Sequence, residues 1–257
     1  MKVTILGSGP SSGIPTIHDG WVDCDPENTR NRRLRPSILV EYGDTVVLVD
    51  TTPDLRQQLL NTGVRRLDAV LYTHGHADHL HGIDDLRSIN RAMNAEIPVY
   101  ANAETLAIIN QRFEYTVTPL APGADYYYKP VLKLHEITAG EHFSVGDLEI
   151  LTIDQDHGYS RTLGYRFGPL AFTTDLLDLP EQSFAALDGI EAWIIGVFSV
   201  KPHITHVHVD KALEWIERVK PSRAVLTHLG PTIDYAKLSD YLPDGVEAAY
   251  DDMEIKI

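Results

Sequence analysis

Cysteine is nearly absent from this chain, which holds only Cys24 among 257 residues. One thiol forms neither an internal disulfide nor a cysteine-based zinc cluster, and such scarcity is typical of a reducing compartment. No run of eighteen apolar residues occurs, and the opening MKVTILGSG lacks the basic region and cleavage site of a secretory signal. We therefore expect a cytoplasmic protein without a membrane partner, in which Cys24 is a small buried thiol.

Basic residues are also scarce relative to acidic ones. The chain has 22 Lys and Arg against 37 Asp and Glu, a formal net charge of −15. A surface of this sign repels polyanions, so long nucleic acids are disfavoured as substrates. Carboxylates that bind divalent cations are part of the acid count, and bound metals would offset some of the charge locally.

Short β-type runs alternate with amphipathic helical stretches along the chain. Two strand pairs read as hairpins, Ser37 to Val49 around Gly43-Asp44 and Thr162 to Thr174 around Gly168-Pro169. The apolar spacing predicts helices at Pro53 to Asn61, Asp84 to Met93, Ala103 to Arg112 and Lys211 to Val219. This alternation predicts a layered α/β fold in a single domain, residues 1–257.

A dense cluster of histidines follows the predicted strand Asp68 to Tyr72. The run Thr73-His74-Gly75-His76-Ala77-Asp78-His79 places three imidazoles and a carboxylate within six positions. Imidazole suits zinc, manganese and iron. His74 and His76 at the strand end can share one ion, whereas Asp78 and His79 at the start of a helix can reach a second. Two adjacent metal sites are predicted.

Further ligands are expected at the ends of other strands. His157, Asp175 and His228 each follow a predicted strand. Taken singly, a histidine is more often a hydrogen-bonded or solvated side chain, and Asp175 alone is compatible with a turn or a helix cap. The histidine-rich run favours a ligating role for all three residues, because two ions need more ligands than that run supplies.

These residues, with Asp50 at another strand end, carry a resemblance to the metallo-β-lactamase superfamily. The chain looks like the branch that contains the phosphoribosyl cyclic phosphodiesterase, with cofactor-biosynthesis and transfer-RNA 3′-processing enzymes further off. The resemblance implies an αββα sandwich of two mixed sheets flanked by helices. It also implies one ion held by His74, His76 and His157, a second held by Asp78, His79 and His228, and Asp175 between them.

The resemblance has one clear departure. Relatives in this branch often carry a structural zinc with a cysteine cluster near the N-terminus. The corresponding region here reads His18 to Asp25 with Cys24 alone, so we expect no such zinc. The lack of a cysteine near the second site also disfavours a true β-lactamase.

The expected reaction is hydrolysis by a hydroxide shared between two divalent ions, Zn or Mn with Fe as an option. Asp78 is assigned a catalytic as well as a ligating role. His206 is the expected acid for the leaving group and His208 its nearest rival, although these imidazoles could instead cap a helix or face solvent. Asp50 is expected to orient a ligand imidazole rather than to bind metal.

The substrate expected from this set is a small phosphate ester, such as a cyclic ribose phosphate or a nucleotide. Two alternatives stay open: a hydrolase of lactones or thioesters, and a non-catalytic metal-binding accessory protein of cofactor biosynthesis. Oligomeric state is open, a homodimer included. The basic cluster Arg30, Arg32, Arg33 and Arg35 is interpreted as solvating a loop, with contact to a substrate phosphate as the alternative.

Overall fold

The first half of the chain forms a mixed sheet. The structure is a computed structural model that describes all 257 residues. The strands of this half are β1 (Lys2–Gly7), β2 (Ser37–Tyr42), β3 (Thr45–Val49), β4 (Ala69–Leu71), β5 (Ile97–Ala101) and β6 (Leu132–Glu136). The last strand of the chain, β14 (Met253–Lys256), completes a seven-stranded sheet in the order β14-β1-β2-β3-β4-β5-β6.

The second half forms a matching sheet. Its strands are β7 (His142–Val145), β8 (Leu148–Asp156), β9 (Arg161–Phe167), β10 (Leu170–Thr173), β11 (Ala192–Gly196), β12 (Arg223–Thr227) and β13 (Val246–Ala248), in the order β13-β12-β11-β10-β9-β8-β7. In each half an antiparallel hairpin, β2–β3 or β9–β10, is followed by parallel strands. The two halves therefore repeat one topology.

Helices cover the outer faces of both sheets. The helices are α1 (Leu55–Thr62), α2 (Ala77–Leu80), α3 (Leu86–Met93), α4 (Ala103–Arg112), α5 (Glu181–Ala186), α6 (Val209–Val219) and α7 (Tyr235–Tyr241). Short 3-10 turns lie at Thr29–Asn31, Ile83–Asp85 and Glu114–Thr116. None of these helices has the length and apolar character needed to cross a bilayer.

Alternation along the strands sorts the apolar side chains between layers. In β2, Ile38 and Val40 enter the core between the sheets, whereas Leu39 packs with the helices of the first half. In β11, Ile194 faces the same central core, and Trp193 faces the helices of the second half. This period of two produces an αββα sandwich, so the predicted fold class is confirmed.

Candidate metal centre

The site lies where the carboxyl ends of several strands meet at one edge of the sandwich. His157 follows β8 directly, His228 follows β12 directly, and Asp175 lies two residues beyond β10. The histidine-rich run begins three residues after β4 with His74 and continues into α2, which carries Asp78. The fold thus gathers side chains that are far apart in the sequence.

Three predicted ligands form one group. Nitrogen atoms of His74, His76 and His157 lie within 4.8 Å of one another. His74 Nε2 is 2.8 Å from His76 Nδ1. His157 Nδ1 lies 2.8 Å from the carbonyl oxygen of Thr205, an acceptor, so it carries the proton and leaves Nε2 free for a metal. The remaining side of this group is open, because His76 is exposed.

Four side chains form the second group, which is fully buried: Asp78, His79, Asp175 and His228. His79 Nε2 lies 3.2 Å from Asp78 Oδ2 and 3.1 Å from Asp175 Oδ2. His228 Nε2 lies 3.4 Å from the same oxygen of Asp175. Two imidazoles and two carboxylates are therefore aimed at one small volume.

Asp175 lies between the two groups. Its Oδ2 faces His79 and His228, while its Oδ1 is 3.9 Å from His157 Nε2 and 3.2 Å from His206 Nε2. One carboxylate thus contacts both halves of the site with different oxygen atoms. This is the position expected for an anion shared by two cations.

The donors fit divalent metal ions. The Nε2 atom of His228 is buried and has no hydrogen-bond partner, although it faces the Asp175 carboxylate. A buried polar atom without a partner is costly, and coordination to a cation would satisfy this nitrogen. Imidazole and carboxylate are ligands that zinc, manganese and iron accept.

Asp50 holds His79 in place through the ring nitrogen that faces away from the site. Its Oδ2 is 2.6 Å from His79 Nδ1. The same carboxylate accepts hydrogen bonds from the backbone N–H and the hydroxyl of Thr73. His79 is therefore held with Nε2 facing the site, as expected from the sequence, and the start of the histidine-rich run is fixed by the same residue.

Three of these residues have strained backbones. Asp50, Asp175 and His228 have φ angles of 66°, 52° and 57°, in the left-handed region. Non-glycine residues adopt this region uncommonly, with Asp and His among the more tolerant types. Each follows a buried strand, and the turn redirects its side chain to the sheet edge. Such strain is a feature of functional sites.

The buried groups of the site shift one another's pKa values. Burial opposes a charge on His79, but Asp175, Asp78 and Asp50 outweigh it and raise the pKa of His79 well above its ordinary value. Burial works against the charge of Asp175 as well, yet His228 and His79 hold its pKa well below the usual range. Burial lowers the pKa of His228 to about 4. In the metal-free protein, His79 is thus the protonated imidazole between two ionised carboxylates.

Metal uptake is therefore expected to release a proton from His79. A protonated imidazole cannot bind a cation, so the raised pKa makes protons compete at the second group through neutral pH. Affinity should rise between pH 6 and 8, by up to about tenfold per pH unit for one displaced proton. Calorimetric titration with Mn²⁺ in two buffers of different ionisation enthalpy measures that proton. Binding independent of pH and buffer would contradict this assignment.

The two acid candidates are placed differently. His206 lies in the site: Nε2 is 3.2 Å from Asp175 Oδ1, and Nδ1 is 2.8 Å from the hydroxyl oxygen of Thr205. His208 is the residue before α6, and its backbone bridges to Ser199. It belongs to none of the groups that could hold a metal. The geometry thus favours His206 over His208, and the role itself stays a prediction.

The arginine cluster has structural contacts. Arg33 is 1% exposed and its Nη1 donates to the carbonyl oxygens of Leu229 and Ile233, at 3.3 and 2.9 Å. Arg30 stacks on Tyr235 and Tyr250. The interpretation that this cluster only solvates a loop is therefore wrong for Arg33, because the backbone next to His228 needs donors that the guanidinium supplies.

The other two arginines and the cysteine also make local contacts. Arg32 stacks on Trp21, and Arg35 pairs with Asp54. Cys24 is buried, as predicted, with Sγ against the carbonyl oxygens of Pro231 and Ile233. The contacts of Cys24 tie the segment after β1 to the loop that carries His228.

An αββα sandwich with imidazoles and carboxylates gathered at one edge is the architecture of the metallo-β-lactamase superfamily. The sequence pattern of the beta-lactamase superfamily domain matches residues 45–229. The crystal structure of a new diphosphatase from the PhnP family is 33% identical, covers 99% of this chain and 97% of that one, and superimposes with a TM-score of 0.89. The chain therefore belongs to the beta-lactamase superfamily and, within it, to the PhnP family.

Two curated relatives extend the comparison. An octanoyltransferase of Porphyromonas gingivalis (strain ATCC BAA-308 / W83) is 33% identical over 258 residues, which are 99% of this chain and 51% of that protein. This chain thus spans about half the length of that relative. A ribonuclease Z of Mycobacterium bovis (strain BCG / Pasteur 1173P2) is 29% identical over 91% of this chain and 87% of its own length. The predicted superfamily and branch are confirmed.

Proposed function

We propose that this chain is a phosphodiesterase that hydrolyses small phosphate esters, such as a cyclic ribose phosphate or a nucleotide, with two divalent metal ions. The observation that carries the proposal is Asp175, whose two oxygens face two separate groups of ligands. The diphosphatase and the ribonuclease Z among its relatives are named for reactions at phosphorus. The net charge of −15 favours a small substrate over a long nucleic acid.

The proposed ligand set follows the two groups. His74, His76 and His157 would hold one ion, and Asp78, His79 and His228 the other, with Asp175 shared. Zinc and manganese both suit these donors, and iron is an option. Bound there, such ions lower the pKa of water towards neutrality and neutralise charge on a phosphoryl group. The seven side chains lie after β4, β8, β10 and β12 and on α2, so the fold itself sets their positions.

His206 is proposed to protonate the leaving oxygen. Its ring lies against those of His157 and His228, with centroids 4.8 and 5.2 Å away, so it borders both groups. The Asp175 oxygen and the Thr205 hydroxyl contact its two nitrogens and orient the ring. A proton held on Nε2 would therefore lie beside Asp175, between the two ligand groups, where it could pass to a departing ester oxygen.

Substitution of His206 should affect poor leaving groups most. We expect His206→Gln to lower kcat for an alkyl phosphodiester by about 10²-fold, because an alkoxide needs a proton to depart. Hydrolysis of a p-nitrophenyl ester should change less than about threefold, because p-nitrophenoxide leaves unprotonated. His208→Gln tests the rival assignment in parallel. The assignment would be contradicted if His206→Gln lowered kcat equally for both substrates. It would also be contradicted if His208→Gln, and not His206→Gln, lowered kcat mainly for the alkyl ester.

The direct test of the proposed function is turnover of bis(p-nitrophenyl) phosphate by purified protein reconstituted with Mn²⁺ or Zn²⁺. We expect activity that a chelator abolishes and that added metal restores. Activity indifferent to chelation would refute the metal-dependent mechanism. Metal-loaded protein that is inactive towards all ester classes would favour the accessory-protein alternative.

A thioester hydrolase is the second candidate, and one observation favours it. The octanoyltransferase matches this chain over nearly its whole length, and its name describes transfer of an acyl group. An assay with an S-octanoyl thioester beside the phosphodiester separates the two candidates. We expect kcat/KM to be larger for the phosphodiester, since paired cations suit a charged phosphoryl group better than a neutral carbonyl.

We also propose that residues 1–257 form one domain. The central core contains side chains from both sheets, for example Val40 from β2 and Phe167 from β9. The segment after β1 bonds to the loop after β12, where Leu229 N–H donates to the carbonyl of Ser8. Neither half can bury its inner face without the other. A single cooperative unfolding transition would support this proposal.

A further inference from the structure

We propose that the substrate of this site carries an apolar or aromatic group, and that this group binds against the side chains of Tyr159, Val200 and Ile204. These three side chains are called the apolar rim below. The inference rests on the proposed phosphodiesterase function and names the substrate class more narrowly. It concerns the ester group that stays on the phosphate, not the group that leaves.

The apolar rim flanks a predicted metal ligand. Tyr159 lies two residues after His157, and Ile204 directly precedes Thr205, whose carbonyl accepts the hydrogen bond from His157 Nδ1. The backbones touch here, since a Cβ atom added to Gly158 would lie 2.8 Å from the carbonyl oxygen of Ile204. Tyr159 and Ile204 are therefore on two loops that meet beside the three-histidine group.

These side chains are exposed without a partner in the fold. Tyr159 is 84% exposed, Ile204 68% and Val200 50%. Single exposed apolar residues are ordinary on proteins, but a group of them on adjoining loops marks a surface that binds something apolar. Because the loops belong to the site, the ligand that best explains this group is the substrate itself.

Phe198 adds an aromatic side chain beside His206 on the same loop as Val200 and Ile204. The half-buried ring of Phe198 lies 5.0 Å from the ring of His206 and 4.9 Å from that of His203. The loop from Phe198 to His206 thus carries an aromatic ring beside His206 and two exposed aliphatic side chains, Val200 and Ile204. A phosphate near His206 would place its ester substituent beside this loop, where these side chains would exclude water from it.

The test compares two substrates with the same leaving group, phenyl p-nitrophenyl phosphate and methyl p-nitrophenyl phosphate. The readout is the ratio of their kcat/KM values with Mn²⁺ present. The intrinsic reactivities differ, but they cancel when that ratio is compared between protein variants. We expect the double variant Tyr159→Ser/Ile204→Ser to lower the ratio about tenfold, with the methyl ester changed less than twofold.

A matched control removes an exposed tyrosine and an exposed aliphatic side chain elsewhere. Tyr42 and Leu60 are 42% and 60% exposed, and Tyr42 ends β2 at the opposite edge of the sheet from the site. Tyr42→Ser/Leu60→Ser should leave the substrate ratio unchanged. All four side chains are exposed, so both variants are expected to fold, which circular dichroism checks.

The outcomes separate the two proposals. An unchanged ratio in the Tyr159→Ser/Ile204→Ser variant of an active enzyme overturns the apolar rim and leaves the phosphodiesterase function intact. An unchanged ratio together with a shift in oligomeric state would instead assign these side chains to a protein interface, and also overturns the inference. Wild-type protein inactive on both esters overturns the proposed function and the rim with it.

Discussion

Asp175→Asn is expected to lower kcat/KM for bis(p-nitrophenyl) phosphate by about 10³-fold, and to reduce bound metal below two ions per chain. The carboxylate faces both ligand groups, with Oδ1 towards His157 and Oδ2 towards His79 and His228. Asparagine keeps the shape but removes the negative charge that two neighbouring cations require. Steady-state kinetics and metal analysis of the purified variant measure both effects.

The matched control for this substitution is Asp178→Asn. Asp178 lies on the same loop after β10, but its carboxylate pairs with Lys211 at 3.2 Å and belongs to none of the ligand groups. This variant should retain full metal content and activity within about twofold. Wild-type activity in Asp175→Asn would contradict the shared role of this carboxylate.

Arg33→Met is expected to lower the free energy of unfolding by about 3 kcal/mol, because it removes the charged donor from the buried carbonyl oxygens of Leu229 and Ile233. The guanidinium is buried and bonds to Leu229 and Ile233, and through Nη2 to the side-chain oxygen of Asn31. Leu229 directly follows His228, so metal affinity at the second group should weaken as well. Denaturant titration and calorimetric metal binding measure the two effects.

Arg32→Met is the control, since this neighbour is exposed and only stacks on Trp21. Its unfolding free energy should stay within about 0.5 kcal/mol of wild type. A second variant, Arg33→Lys, keeps the charge but cannot reach all of these acceptors, and it should be intermediate. An Arg33→Met protein as stable as the Arg32→Met protein would contradict the proposed role of the buried guanidinium.

Local signals in the sequence predicted the hairpins and most of the helices that the structure contains. β2 and β3 match the predicted limits because Gly43-Asp44 provides the turn and the flanking residues alternate. α4 also matches, from Ala103 to Arg112, where Asn102 caps the first turn. The predicted helix from Asp84 begins as the 3-10 turn Ile83–Asp85, and helix ends vary by such margins.

Elements without a local signal were not predicted. β11, Ala-Trp-Ile-Ile-Gly, is buried on both faces and so shows no alternation that distinguishes a strand from a helix. β6 and β7 are edge strands with mixed polar residues, and β14 pairs with β1 across the whole length of the chain. β6 and β14 depend on partners that are distant in sequence, whereas β7 pairs with the adjacent β8.

The sequence identified the side chains that the structure brings together, but it did not predict the backbone geometry and the contacts that hold them in place. The spacing from His74 to His79 and the strand-end positions of His157, Asp175 and His228 are visible in one dimension. The left-handed backbones that turn these residues to the site depend on the packed sheets around them. The burial of Arg33 likewise depends on a loop almost two hundred residues away. Its sequence neighbours, which are other arginines, therefore gave the wrong interpretation of a solvent-exposed side chain.

Anomalous scattering from crystals of the Mn²⁺- or Zn²⁺-reconstituted protein tests the central claim most directly. The account predicts two metal peaks per chain, one bounded by His74, His76 and His157 and one by Asp78, His79 and His228, with Asp175 contacting both. A single peak, or peaks away from these side chains, would contradict it.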